Sequence, residues 1–141
     1  MEVKIKLIED GKMPVKMHET DAGFDCYARE IEYQFESGKI KYNLGFAIEI
    51  PKGYVGLVFP RSSVCKHDLL LTNSVGVIDS DFRGEVSAVF VVTKTPFPKH
   101  YDKGDRVCQL IIIPYPEIEL KQVERLSETE RGEGGYGSTG K

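Results

Sequence analysis

A chain of 141 residues suits one domain with a buried core and is too short for two. Hydrophobic residues make up 40% of it and charged residues 29%, as in soluble globular proteins, and no apolar run is long enough to span a bilayer. The net charge of −3 argues against sequence-independent binding to nucleic acid, which requires clustered lysine and arginine. We therefore expect a small ligand, no nucleic-acid partner and no membrane span.

The first seven residues alternate charged and apolar side chains, whereas a secretory signal needs an unbroken apolar stretch. This pattern favours a cytoplasmic protein. Three cysteines, Cys26, Cys65 and Cys108, lie far apart, and their odd number leaves at least one unpaired within the chain. Free, buried thiols are the simpler interpretation.

Alternating apolar and polar residues predict an all-β protein. The alternation is clearest at residues 40–50, where every even position is apolar. Runs rich in β-branched and aromatic residues predict further strands at residues 3–8, 54–59, 85–93 and 107–113. We also predict a short helix at residues 63–71, capped by Ser62 or Ser63, and a second helix at residues 123–130. So many short strands indicate a β-barrel or sandwich.

The C-terminal residues 131–141 contain five glycines, one aromatic residue and no aliphatic residue. Such a segment cannot bury enough surface to order itself without a ligand. Considered alone it favours a linker. However, Arg131, Tyr136, Ser138 and Thr139 add a cation, a stacking ring and hydroxyl donors to the glycines, a combination that suits phosphate binding.

Two internal segments carry groups suited to phosphate chemistry. Residues 60–63, Pro-Arg-Ser-Ser, follow a predicted strand and combine a guanidinium, hydroxyls and backbone N–H groups, although a plain helix cap is the better explanation of this segment taken alone. Residues 76–85 predict a β-hairpin in which Asp79 and Asp81 are either turn-formers or candidate bases. A carboxylate beside a phosphate site can orient a water and accept its proton, and Asp79 is our candidate.

Gln109 is the one amide within the apolar strand predicted at residues 107–113, and its burial is costly unless both ends of the amide find partners. The three histidines, His18, His67 and His100, are isolated from one another and from any cysteine at metal-ligand spacing. The sequence therefore argues against protein-ligated zinc and against a nucleophilic triad.

Taken in order, five segments resemble the five motifs of the trimeric dUTPase family. They are residues 22–25, 60–63, 76–85, 103–110 and 131–140, which read AGFD, PRSS, GVIDSDFRGE, KGDRVCQL and RGEGGYGSTG. Each motif is weak alone, but five in this order leave little room for coincidence. The resemblance implies a jelly-roll-type β-barrel (dUTPase-like, β-clip) with one short helix, assembled as a homotrimer. It implies a barrel domain at residues 1–130 and a flexible lid at residues 131–141 that orders on nucleotide binding.

The resemblance further implies hydrolysis of dUTP to dUMP and pyrophosphate with Mg²⁺, in active sites shared between subunits. Asp79 would activate the attacking water, assisted by Gln109, and Asp25 would reach the metal through water. The residues implied in substrate binding are Arg61, Ser62, Ser63, Asn73, Gly76, Val77, Ile78, Phe82, Arg131, Gly135, Tyr136, Gly137, Ser138 and Thr139. Among these, Tyr136 would stack on uracil. Each active site would take its first, second and fourth motifs from one chain, its third motif from a second chain and its tail from the remaining chain.

One residue departs from the family pattern. Phe82 stands where the family usually has tyrosine, beside the deoxyribose. Because exclusion of a ribose is mostly a matter of shape, we predict that discrimination against UTP persists.

The motifs bear on two alternatives to dUTP hydrolysis. A dCTP deaminase of the same fold needs a glutamate on the strand after the hairpin, where this chain has Val89 and no acidic residue between residues 86 and 94. A dUTP-responsive binding or signalling trimer would use the same site as a switch, and the motifs alone leave it open.

Overall fold

The computed structural model describes residues 1–135, which form ten β-strands and two 3-10 helices. The strands are β1 Lys4–Leu7, β2 Phe24–Tyr27, β3 Glu30–Gln34, β4 Lys39–Asn43, β5 Phe46–Glu49, β6 Tyr54–Pro60, β7 Leu69–Leu71, β8 Gly76–Ile78, β9 Ser87–Val92 and β10 Arg106–Pro114. The 3-10 helices cover Phe35–Ser37 and Ser62–Lys66. The all-β prediction is therefore confirmed. Within these residues, no helix has the length and apolar character needed to cross a membrane.

The strands form three antiparallel sheets. One four-stranded sheet has the order β2-β10-β6-β8, the other has the order β3-β4-β9-β7, and β1 pairs with β5. The core lies between their inner faces, where Tyr42, Phe46, Phe90 and Leu110 are almost fully buried. Period-two alternation in each strand turns one set of side chains inward and leaves the other set outside.

The outer face of the β2-β10-β6-β8 sheet is unusually apolar. At the centres of β6 and β10 the inward residues are buried, whereas the alternate residues are half-buried or exposed. The apolar side chains on this outer face are Val55, Leu57, Phe59, Val77, Ile111 and Ile113. A contiguous exposed apolar surface of this kind is typical of an interaction surface.

The prediction of one continuous strand at residues 40–50 is wrong, because the segment forms two strands. Its six even positions are buried as the alternation requires. However, Gly45 has a φ of +74° and separates β4, which joins β3 and β9, from β5, which pairs with β1. A positive φ is readily available to glycine, so the chain changes sheets there without losing its buried pattern.

Both predicted α-helices are wrong. Residues 63–71 divide into the 3-10 helix Ser62–Lys66 and strand β7, which pairs with β9, and neither serine side chain caps the helix. Residues 123–130 form no helix, and Leu126 is 86% exposed. A short helix depends on packing of an apolar face, and the 123–130 segment has none within residues 1–135.

The prediction of a hairpin at residues 76–85 is correct for the turn, but wrong in that the two flanking strands do not pair with each other. The backbone N–H of Phe82 donates to the Asp79 carbonyl at 3.2 Å, and the Arg83 guanidinium donates to the Ser80 carbonyl at 2.7 Å. The flanking strands then diverge, because β8 pairs with β6 while β9 pairs with β4 and β7 in the other four-stranded sheet. The turn therefore bridges two sheets.

Candidate active site

Asp25 on β2 lies between two arginines. Its Oδ1 accepts a hydrogen bond from Arg61 Nε at 2.9 Å, and its Oδ2 accepts one from Arg106 Nη1 at 3.0 Å. The Asp25 side chain is only 16% exposed, so these charge-assisted bonds are partly shielded from solvent. Since both oxygens are already occupied, the carboxylate holds the arginines in place and is poorly suited to bind a metal ion directly.

Arg61 is anchored through three of its hydrogens. Besides the bond to Asp25, its Nη1 donates to Ser63 Oγ at 3.3 Å and to the backbone carbonyl of Arg106 at 3.2 Å. Within residues 1–135, Nη2 has no hydrogen-bond acceptor. A guanidinium that is rigid on one side and has two free N–H groups on the other is preorganised to bind an anion.

Gln109 lies beside this arginine. It is the cross-strand neighbour of Asp25 on β2 and of Phe59 on β6. Its Nε2 donates to the Pro60 carbonyl at 3.1 Å, which supplies one of the partners that the sequence analysis required. A Cβ at Gly23 would lie 2.8 Å from Gln109 Oε1, so a larger residue there would shift the end of the glutamine side chain. The amide is thereby held at the floor of a cleft.

These groups line one cleft of about 480 Å³, here called the arginine cleft. Its lining residues are Met17, His18, Asp21, Ala22, Gly23, Asp25, Arg61, Ser62, Arg106 and Gln109. The first, second and fourth sequence motifs thus meet in one place. Within residues 1–135, no group of three or more His, Cys, Asp or Glu side chains is arranged to hold a metal ion by itself.

The third motif lines a different cleft, here called the Asp79 cleft. It has a volume of about 200 Å³ and is lined by Val58, Asn73, Gly76, Val77, Ile78, Asp79, Phe82, Glu85, Val86 and Ser87. The Asp79 side chain is exposed and forms no ion pair or side-chain hydrogen bond with residues 1–135. Its carboxylate is therefore free to accept a proton or a hydrogen bond from a ligand.

The turn that contains Asp79 is anchored by hydrogen bonds to Glu85, at the end of the third motif. Glu85 accepts hydrogen bonds from Arg29 Nε at 3.0 Å and from the backbone N–H of Gly45 at 2.9 Å. Arg29 also pairs with Glu9 and Glu30, and the Glu85 hydrogen bond is the main reason that its pKa is raised. Within the turn, a Cβ at Gly84 would lie 2.7 Å from the Phe82 ring, so glycine allows the ring to fold back over the backbone.

The two clefts are separate within one chain. Asp25 lies on β2 and Val77 on β8, the two outermost strands of the sheet. Asp25 is level with Phe59 of β6, whereas Val77 is level with Leu57, two residues earlier on the same strand. Strand spacing and rise place the Cα atoms of Asp25 and Val77 roughly 15 Å apart. Asp79 and Arg61 therefore do not line a common cleft in an isolated chain.

Only the start of the C-terminal motif lies within the described residues. Arg131 is exposed, and its Nε donates to the Gly134 carbonyl at 2.8 Å within a local turn. Gly135 is half-buried. The predicted contacts of Tyr136, Gly137, Ser138 and Thr139 lie outside the described residues.

Sequence analysis missed three residues that organise the site. Arg106 belongs to the fourth motif, and its position three residues before Gln109 is a usable signal. Arg29 and Tyr101 carry no such signal, because their partners Glu85 and Ser63 are 56 and 38 residues away in sequence. Burial raises the pKa of the Tyr101 phenol, which therefore stays protonated.

Comparisons with known proteins identify the family. The dUTPase family model matches residues 9–140. The deoxyuridine 5'-triphosphate nucleotidohydrolase of Cutibacterium acnes is 40% identical, over 85% of this chain and 80% of that protein. The protein of the same name from Nautilia profundicola is 38% identical over the whole of both chains. The dUTPase of Staphylococcus bacteriophage 80alpha, solved with dUPNHPP, has a TM-score of 0.83 and 31% identity, over 99% of this chain and 98% of that one. The chain belongs to the dUTPase family.

Proposed function

We propose that the chain hydrolyses dUTP to dUMP and pyrophosphate. The observation that carries this proposal is the arginine cleft, in which Arg61 is fixed by Asp25, Ser63 and Arg106 while its Nη2 has no acceptor within residues 1–135. A fixed cation with unused donors stabilises charge that develops on a reacting phosphate without reorganising. The names of the related proteins support dUTP as the substrate.

The phosphates bind in the arginine cleft. Arg61 contributes the N–H groups of Nη2, Ser62 and Ser63 contribute hydroxyls, and Gln109 presents its amide beside them. Ser62 is exposed at the cleft, and Ser63 is half-buried with its Oγ 3.3 Å from Arg61 Nη1. These donors would hold the triphosphate in line for attack.

Asp79 is the general base of the reaction. It would orient a water and take its proton as the water oxygen bonds to the α-phosphorus and the bond to the bridging oxygen breaks, releasing pyrophosphate. The lack of any ion pair or side-chain hydrogen bond to Asp79 within residues 1–135 supports this role, because its oxygens are free to accept a hydrogen bond from water.

Mg²⁺ is the proposed cofactor, and the residues of the arginine cleft fit a metal that is bound through phosphate oxygens and water. Asp25 has both oxygens occupied by arginines, and Asp21 Oδ2 accepts the backbone N–H of His18 at 2.9 Å. Both carboxylates can still hydrogen-bond to metal-bound water, as suits an ion that retains its hydration shell. The metal would neutralise phosphate charge when bound.

The nucleoside occupies the Asp79 cleft. The backbone of Gly76, Val77 and Ile78 would read the edge of uracil, with the Asn73 side chain beside it at the rim of the cleft. Phe82, at the same rim, would pack against the deoxyribose and exclude a 2'-hydroxyl by shape.

The active protein is a homotrimer whose sites combine the arginine cleft of one subunit with the Asp79 cleft of another. Two observations support this arrangement. The clefts are separate within one chain, so neither holds both the phosphate-binding and the proton-accepting groups. The outer face of the β2-β10-β6-β8 sheet also carries six apolar residues that association would cover.

Residues 131–141 form the lid of this site, and residues 1–130 form the domain that it covers. Arg131 would neutralise the far end of the triphosphate, while Gly135, Tyr136, Gly137, Ser138 and Thr139 would close over base and phosphates. Truncation before Arg131 should preserve the barrel and greatly reduce turnover. A truncated chain with unchanged turnover would remove the lid from the proposal.

The reaction would keep uracil out of DNA by removing dUTP, and would supply dUMP for dTMP synthesis. The decisive experiment measures pyrophosphate release by the purified protein with dUTP, dCTP, dTTP and UTP in the presence of Mg²⁺. We expect turnover of dUTP alone to be rapid. Ammonia from dCTP would favour a deaminase, although Val89 on β9 offers no acid–base group. Binding of dUTP without turnover would favour a signalling trimer.

A further inference from the structure

Tyr101 is a buried residue whose hydroxyl contacts Ser63, and Ser63 in turn contacts Arg61 of the arginine cleft. The ring is 3% exposed and packs against Tyr42, Phe90 and His67, with the His67 ring centroid 3.9 Å away. Its backbone N–H and carbonyl both hydrogen-bond to the Tyr42 hydroxyl at 3.2 Å. The phenol oxygen lies 3.3 Å from Ser63 Oγ, and no other hydrogen-bond partner for it occurs within residues 1–135.

The direction of the hydrogen bond between Tyr101 and Ser63 follows from the other partner of Ser63. Arg61 Nη1 can only donate, so it occupies one lone pair of Ser63 Oγ. The Tyr101 proton has Ser63 Oγ as its only acceptor within the described residues, and burial makes an unpaired phenol O–H costly. Tyr101 therefore donates and occupies the second lone pair. Ser63 then has its own O–H left for another acceptor.

We propose that Tyr101 is a positioning residue of the arginine cleft, where it orients the Ser63 hydroxyl so that its proton is donated to a phosphate oxygen. The same contact completes the chain of bonds from Tyr101 through Ser63 to Arg61. The phosphate as the acceptor rests on the proposed function; the donor direction rests on the hydrogen bonds alone.

A purely structural role for Tyr101 predicts different behaviour. If its ring only fills the core, Tyr101→Phe keeps the packing and ligand affinity is unchanged. If it orients Ser63, Tyr101→Phe removes the bond that fixes the serine hydroxyl, which is then free to rotate, and weakens phosphate binding. Loss of one such hydrogen bond, worth about 1 kcal/mol, corresponds to about a fivefold loss of affinity.

The test is a double-mutant cycle of Tyr101→Phe and Ser63→Ala, with Tyr54→Phe as a matched control. Tyr54 is a half-buried tyrosine at the other end of β6, and its phenol makes no hydrogen bond within residues 1–135. Calorimetry measures binding of inorganic triphosphate and of the imido analogue of dUTP, kinetics measure KM and kcat for dUTP, and thermal unfolding monitors stability.

We expect each single variant to weaken binding of both ligands by about fivefold and to raise KM, with kcat within about twofold of the wild type. The double variant should be no weaker than Ser63→Ala, because Tyr101 acts through that hydroxyl. Tyr54→Phe should bind as the wild type does. Unchanged affinity in Tyr101→Phe, or independent multiplication of the two losses, would overturn the proposal.

The outcomes separate this proposal from the proposed function. A wild type that binds inorganic triphosphate and shows the coupling but does not hydrolyse dUTP would reject the proposed function alone. Rapid dUTP turnover without the coupling would reject the role of Tyr101 alone. No triphosphate binding by the wild type would overturn both, since Ser63 would lack its acceptor. If Tyr101→Phe does not fold, unchanged affinity in Ser63→Ala alone suffices to reject the role of Tyr101.

Discussion

The arginine cleft and the Asp79 cleft are built in opposite ways. In the first, Asp25, Arg61, Arg106 and Gln109 are tied to one another or to backbone carbonyls by bonds of 2.9–3.2 Å. In the second, the Asp79 carboxylate makes no such bond within residues 1–135. In the proposed reaction, this difference means that the groups binding the phosphate charge are held rigidly before the ligand arrives, whereas the group that would accept a proton keeps its lone pairs free.

The largest expected effect is on Asp79. Asp79→Asn should lower kcat by about 1,000-fold, because the amide cannot accept the proton of the attacking water. Binding of the imido analogue of dUTP should change little, since the side chain is nearly the same size. Asp81→Asn, in the same turn, is the control and should retain turnover. Equal losses in both variants would mean that the turn, rather than the carboxylate of Asp79, is required.

Arg61→Lys tests whether the arginine cleft requires the fixed geometry of Arg61. Lysine keeps the charge, but its three N–H donors cannot serve Asp25, Ser63, the Arg106 carbonyl and a ligand at once, so kcat/KM should fall by about 100-fold. The exposed Arg125→Lys is the control and should be unaffected. The unfolding temperature reports whether the variant keeps the fold. We expect that it does, because Arg106 would still pair with Asp25. Full activity in Arg61→Lys would show that charge suffices without geometry.

Mixed trimers test whether the two clefts belong to one site. Co-expression of Asp79→Asn and Arg61→Lys chains with different tags, followed by purification on both tags, yields trimers that contain both chains. In a cyclic trimer with both kinds of chain, one of the three sites combines the intact Arg61 of an Asp79→Asn chain with the intact Asp79 of an Arg61→Lys chain. About a third of the wild-type turnover should therefore return. Residual activity no higher than that of the parent variants would contradict sites shared in this way.

The smallest expected effect concerns Phe82. Phe82→Tyr restores the phenol that the family usually carries, while the ring that packs over Gly84 is unchanged. The ratio of kcat/KM for dUTP to that for UTP should change by less than about threefold, because shape excludes the ribose. A much larger increase in the ratio would show that the hydroxyl, rather than the ring, provides the discrimination.

Local patterns predicted some features better than others. The apolar alternation from Ile40 to Ile50 correctly identified all six buried apolar side chains at the even positions, because burial on one face of a strand depends on period two, but it did not identify the buried Asn43. It could not reveal the change of sheet at Gly45, which depends on contacts with Gly11 and Arg29. The same limit explains β7, where Leu69–Leu71 pair with β9 rather than extend the helix predicted before them.

The amino-acid sequence alone identified the family, the all-β class and the residues suited to phosphate chemistry, since these depend on residue type and order. Only the folded chain determined which of those residues meet. Asp25 joins Arg61 and Arg106, 36 and 81 residues away, because β2, β6 and β10 share one sheet. Asp79 lies in another cleft because β8 is on the opposite side of β6 from β10. Strand pairing over such distances is decided by burial of the whole core, which no short segment encodes.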